Sequence, residues 1–182
     1  MQTAKIINSM RIIRPDHRVH LNLNDLHQKL GGKLYPARPQ MLLLTMPNKR
    51  KIQIFQGGCI QILGNVSDQE AATMQRNLIQ QLAVQENGTC QSLCTILKSN
   101  SFTIANLVIH AQLKKDLCLK NISQTDASLF YEIEIFPAAL IRKWAPAHIA
   151  VFHNGKLILT GVKSLSACND LLSAIEKYLC SL

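Results

Sequence analysis

Carboxylates are scarce in this chain of 182 residues. Eleven Asp and Glu stand against twenty Lys and Arg, a formal net charge of +9, which favours a polyanionic partner such as nucleic acid, the alternative being a merely basic protein, between which charge alone does not decide. Aromatics are scarce too, with five Phe, three Tyr and one Trp. No apolar run reaches the roughly 18 residues of a membrane-spanning helix, and MQTAKIINSMRIIR lacks the apolar block and cleavage site of a secretory signal. An intracellular address is expected. The six cysteines, Cys59, Cys90, Cys94, Cys118, Cys168 and Cys180, are irregularly spaced, which speaks for reduced thiols rather than a disulfide framework. Only Cys90 and Cys94 are close, and neither a second pair nor a histidine accompanies them to make a zinc site. The motifs G-x-S-x-G, G-x-x-x-x-G-K-[ST] and H-E-x-x-H are absent. His17, His20 and His27 lie near Asp16 and Asp25, but with no nucleophile or phosphate loop beside them. The chain is expected to be no enzyme and to carry no metal or cofactor, a hydrolase built on the histidines being the weakest alternative.

What the chain does have is a repeat. FHNGKLILTGVK, Phe152 to Lys163, reads as strand, turn and strand, and FQGGCIQILGNV, Phe55 to Val66, has the same layout 97 positions upstream (55 to 152). The same offset pairs Gly58 with Gly155, Gly64 with Gly161, Ser67 with Ser164, Ile54 with Val151 and Ile62 with Leu159. After each hairpin comes a helical pattern. SDQEAATMQRNLIQQLAV puts Ala71, Met74, Leu78 and Leu82 on one face, and SLSACNDLLSAIEKYLC puts Cys168, Leu171, Ile175 and Leu179 on another. Ser67 and Ser164 suit N-caps, the first with Glu70 as a capping box. MLLLTM and AALIRK precede the hairpins as strands, and KIINSMRII and ANLVIHAQL open the halves. LNLNDLHQKL reads as a short helix stopped by Gly31 and Gly32. Residues 1–100 and 101–182 are thus expected to be two repeats of one pseudo-twofold α+β domain, with 5–84 superposing on 104–181.

YEIEIFPAALIRKWAPAHIAVFHNGKLILTGVK, Tyr131 to Lys163, resembles the second repeat of the TATA-box-binding protein family, where a tyrosine, two acids and Phe-Pro lead into strands ending in FxxGKxxxTGxK. The resemblance implies a saddle of ten antiparallel strands, five per repeat, with four helices on the convex face. It implies a concave underside set in the DNA minor groove, with pairs of phenylalanines wedged between base steps, as this family does. The physical logic is consistent, because the minor groove offers an A·T pair only acceptors, which suits a broad apolar sheet. Apolar residues on an uncovered sheet face, such as Val108 and Ile158, need something flat and apolar to lie on them.

Carried across residue by residue, the resemblance makes Phe136 and Phe152 wedges, Asn106 a groove-reading asparagine and Thr160 the threonine of the TG step. Arg142, Lys156 and Lys163 become phosphate contacts. In the first half Phe55 keeps one wedge, Pro39 stands where its partner should be, and Lys5 stands at the asparagine. Leu63 replaces the threonine, Gln53 and Gln61 occupy positions usually apolar, and Cys59 replaces a lysine. Glu132, Glu134 and Ile135, read as extended with both carboxylates on one side, match the loop on which a factor-IIB-like partner docks in this family. The resemblance implies a nuclear factor, or one at a site of viral transcription, that binds AT-rich double-stranded DNA and initiates transcription. The alternative is a scaffold subunit of a transcription assembly that has given up sequence-specific binding.

Overall fold

The computed structural model describes residues 4–37, 39–84 and 88–181. Among them ten strands and five helices follow in the order β1 (Lys5–Ile13), α1 (Leu23–Leu30), β2 (Lys33–Tyr35), β3 (Met41–Thr45), β4 (Lys51–Phe55), β5 (Ile60–Leu63), α2 (Asp68–Ala83), α3 (Gly88–Ser99), β6 (Thr103–Gln112), α4 (Leu119–Thr125), β7 (Leu129–Phe130), β8 (Ala138–Ile141), β9 (His148–Phe152), β10 (Lys156–Val162) and α5 (Leu165–Ser181). The strands make an antiparallel sheet of order β2-β3-β4-β5-β1-β6-β10-β9-β8-β7, so the α+β class and the ten strands are as the sequence led us to expect. Strand, helix, four strands and helix run from β1 to α2 and again from β6 to α5, with α3 between. The chain forms two compact units, Ser9–Ala105 in one and Met1–Asn8 with Asn106–Leu182 in the other. β1 and β6 therefore contribute residues to both.

In the unit Ser9–Ala105, alternate residues of β3, β4 and β5 are buried: Leu42 and Leu44, Ile52 and Ile54, Ile60 and Ile62. They form one core with Leu23 and Leu26 of α1, with Ala71, Met74, Leu78 and Leu82 of α2, and with Cys90, Leu93 and Leu97 of α3. Each such Leu or Ile contributes about 1.5–3 kcal/mol on burial, enough to fix which sheet face meets the helices. The α2 stripe is the one its 3–4 spacing predicts, and Ser67 and Glu70 make both bonds of the capping box. Asn22 caps α1, and Gly31, at φ 69°, ends it with its N–H on the His27 carbonyl.

Helix α3 departs from the expected four helices. Gly88, Thr89, Ser92 and Thr95 dilute its helix propensity, yet Cys90, Leu93, Cys94 and Leu97 recur at helical spacing and are buried. The two cysteines are thus core residues. Arg11 is also buried, and its Nε donates to the Val66 carbonyl at 2.7 Å while its Nη1 meets the exposed Asp68 carboxylate at 2.5 Å, pairing the buried charge.

In the other unit, Leu107, Ile109, Ala111, Ile149, Val151, Leu157 and Leu159 are among the buried residues. The buried face of α5 is Cys168, Leu172, Ile175 and Leu179. Leu172 stands where Leu171 was expected, because the stripe steps by four and then three. Ser164 accepts from the Ala167 N–H at 3.2 Å and caps α5. At the outer strand, Asp126 accepts from the Tyr178 hydroxyl at 2.5 Å and the Ser128 N–H at 2.7 Å. Those bonds, the tyrosine's first, hold its carboxyl down to about 2.

The β9–β10 turn depends on Gly155, at φ 76°, where a Cβ would stand 2.5 Å from the Lys115 carbonyl oxygen. Gly57, in the matching turn, has open space around it. We predict that Gly155→Ala costs about 1–3 kcal/mol of stability and that Gly57→Ala is close to neutral, as read by thermal or urea unfolding. Equal effects would show that the turn tolerates a side chain.

Candidate nucleic-acid interface

Buried and part-exposed residues alternate along most of β3, β4, β5, β6, β9 and β10, so that the part-exposed ones form a second, helix-free face, and registry continues it in rows onto the neighbouring strands. In the unit containing β10, one row runs Phe130, Leu140, Ala150, Ile158, His110 across β7, β8, β9, β10 and β6. Val108, Thr160, Lys156 and Phe152 flank it on the same face. The matching row of the other unit runs Lys33, Leu43, Gln53, Gln61, Ile12. Two glutamines side by side take the places of Ala150 and Ile158, which makes this surface wetter at its centre.

Electrostatically the sheet is one-signed. None of the ten strands contains Asp or Glu, whereas Lys5, Arg11, Lys33, Lys51, His110, His148 and Lys156 all lie in strands. All eleven carboxylates of the sequence lie in helices, loops or residues outside the described set. A half-exposed apolar surface edged by cations and free of carboxylates can accept a flat polyanion.

The structure brings Phe136 and Phe152 together, with ring centroids 6.1 Å apart at 63°. Phe136 is 42% exposed, an unusual cost for so large an apolar ring. Lys156 Nζ sits 5.5 Å from the Phe152 ring centre, and Arg142 lies 6.0 Å from that of Phe130, itself 46% exposed. Phe130 is an aromatic that sequence reading passed over; its register opposite Leu140 was the missing information. Lys163 is exposed just past β10, and Lys5 at the start of β1. In the other unit Phe55 is half-buried opposite Met41, and Pro39 is exposed in the bend before β3. No described aromatic ring partners Phe55.

Asn106 has a structural task. Its Oδ1 accepts from the Gly161 N–H at 2.7 Å, where the β6–β10 register slips between Leu159 and Val162. Its two amide protons and the second lone pair of Oδ1 remain to offer a ligand. Register also moves its counterpart. Gln61 pairs with Ile12 and Ile158 with His110, so β6 follows β1 by 98 positions (12 to 110), and Asn8 rather than Lys5 is equivalent to Asn106. Lys5 corresponds to Thr103. His110 has its Nε2 buried with no hydrogen-bond partner.

The loop of Glu132, Glu134 and Ile135 is a turn and not the extended segment expected. The Ile135 and Phe136 N–H groups both donate to the Glu132 carbonyl, at 3.0 and 2.9 Å. Both glutamates and Ile135 are exposed, with Ile133 beside them 63% exposed and Ile135 72%. Acids and apolar tips are therefore presented together. His17, His20 and His27 join no cluster able to hold a metal among the described residues, and no described helix is long and apolar enough to cross a membrane.

Residues 101–182 match the family profile described as transcription factor TFIID, or TATA-binding protein. The TATA-box-binding protein-like 1 of Entamoeba histolytica is 28% identical over 163 residues, which span 87% of this chain and 72% of that one. A TBP-related factor of Drosophila melanogaster is 27% identical over 165 residues, 88% and 70% of the two chains. The chain is thus similar to the TATA-box-binding protein family, by the profile over residues 101–182 and by these relatives along most of its length. Its fold is that of Methanococcus jannaschii TBP, with a TM-score of 0.73 over 98% of this chain and 99% of that one at 22% identity.

Because Asn106 satisfies a partly buried backbone donor, Asn106→Ala should cost about 1–3 kcal/mol of stability through the unpaired Gly161 N–H. Thr160→Val, which removes no described bond, should leave the unfolding midpoint nearly unchanged. Urea titrations of both variants decide this; an Asn106→Ala as stable as the parent would leave that bond without structural weight.

Proposed function

We propose that this protein is a transcription initiation factor that binds and bends AT-rich DNA through the minor groove and recruits a factor-IIB-like protein. The observation that carries the reading is the helix-free, carboxylate-free sheet face bearing the Phe136–Phe152 pair. Minor-groove edges of A·T pairs are acceptors only, so apolar rows of Leu140, Ala150, Ile158 and Val108 meet them without stranding a donor. The two phenylalanines act as the wedge at one end. Phe55, with Pro39 beside its strand, acts at the other, proline being itself a wedge residue in minor-groove binders. Arg142, Lys156, Lys163 and Lys5 neutralise phosphates, while Asn106, Thr160, Val108 and Ile158 lie on bases and sugars. Nuclear residence follows from this role.

A second reading has its own support. Gln53 and Gln61 pair across β4 and β5 where the other unit is apolar, which suits a scaffold that no longer reads sequence. The two readings separate on one labelled AT-rich duplex across a salt series. For the first, Phe152→Ala or Phe136→Ala should reduce bending and weaken affinity by roughly 1–3 kcal/mol, with Phe55→Ala doing less. Arg142→Ala should weaken binding to all sequences and flatten the salt dependence by about one unit of slope. Absence of bending by the parent, with aromatic variants that change nothing, would favour the scaffold.

The exposed turn of Glu132, Glu134 and Ile135 is the surface for the factor-IIB-like partner. Reversing both glutamates to Arg should weaken that complex while leaving duplex affinity unchanged or slightly higher, since negative charge near phosphate is removed. Undiminished partner binding by the double variant would refute the assignment.

A further inference from the structure

The half related to β10 carries Lys156 at the head of its last strand, and the other half carries Cys59 at the same place, 97 positions earlier (59 to 156). Taken alone, Cys59 is the loss of a cation. The strand next door alters that conclusion. Lys156 stands opposite Gln112 of β6. In the other unit Ile60 stands opposite Ile13, so the next step of the same ladder sets Cys59 beside Arg14. Two contacts one step further on fix this course in both units. A Cβ at Gly58 would stand 3.2 Å from Pro15, while the Gly155 carbonyl accepts from the Leu113 N–H at 2.9 Å. The pair Lys156 and Gln112 thus corresponds to Cys59 and Arg14, with the cation moved from one strand to its neighbour.

Resting on the DNA-binding reading above, we infer that Arg14 is a phosphate-contacting residue of this protein and takes over the task of the missing lysine at position 59. Arg14 is exposed, and by strand alternation it shares the helix-free face with Met10 and Ile12. Among the described residues no carboxylate pairs with it. Burial pushes the Cys59 thiol up, with Arg14 the largest opposing influence. The thiol is therefore protonated at neutral pH and leaves the guanidinium's charge uncancelled. A guanidinium offers phosphate a planar two-pronged donor where an ammonium offers a point charge. The exchange therefore keeps the attraction and changes its geometry.

The test uses the full chain, a fluorescein-labelled AT-rich duplex and a salt series, with Lys156→Gln as the reference. Losing one phosphate contact should lower the magnitude of the log–log salt slope by about 0.9. Arg14→Gln is expected to do so to the same extent as Lys156→Gln. Arg14→Gln with Cys59→Lys should recover the parental slope, and Arg14→Lys should retain it. A parental slope in Arg14→Gln, with a lowered slope in Lys156→Gln, would overturn the assignment of Arg14 alone. Failure of Cys59→Lys to rescue would overturn the strand-to-strand exchange. If the parent does not bind the duplex at all, the DNA-binding reading itself falls. Thermal melts of each variant verify folding, and Arg14→Lys supplies the charge-retaining comparison should Arg14→Gln melt early.

Discussion

Opposite demands on the two faces of each sheet govern this molecule. A strand alternates strictly, so every Ile or Leu sent under the helices sends its neighbours to the other face. Ile52 and Ile54 are buried against α1, α2 and α3 only if Gln53 and Phe55 are not. Ile149 and Val151 do the same to Ala150 and Phe152. The helix-free face is therefore fixed by the core, and what varies is only which residues occupy it. Acids are missing from every described strand, so no carboxylate of a strand lies on this face.

The two units have used that freedom differently. Around β10 the row from Phe130 to Ile158 is apolar, ending in His110; around β5 it holds Lys33, Gln53 and Gln61. The hairpin turns and the buried stripes are shared, because Gly155 and its counterpart Gly58 sit at positive φ against neighbouring chain in both. The differences between the units lie on the face away from the core. Cys59 and Arg14 illustrate this, a charge moved one strand sideways without touching the core.

Asn106 and Arg11 show polar residues that the fold itself needs. The amide of Asn106 closes the gap left where β10 slips past β6, and the buried Arg11 holds the Val66 carbonyl and the exposed Asp68 carboxylate. Both replace water for buried backbone groups, a requirement as strong as apolar burial.

Local pattern alone determined a good deal here. The 97-residue offset, the stripes of α2 and the capping box of Ser67 and Glu70 could all be read directly, since each depends on residues near in sequence. So could the α+β class, while the wedge candidates Phe136 and Phe152 were expectations from the family-like segment and Phe55 one from the repeat. Helix α3 was hidden because its Ser, Thr and Gly content masked a stripe that only packing turns into helix. Leu172 in place of Leu171, the turn at Glu132, Asn8 as the counterpart of Asn106, and Arg14 beside Cys59 belong to the tertiary structure. Each depends on cross-strand register or on long-range packing, and register is set by pairing between residues tens of positions apart, which one-dimensional spacing does not contain.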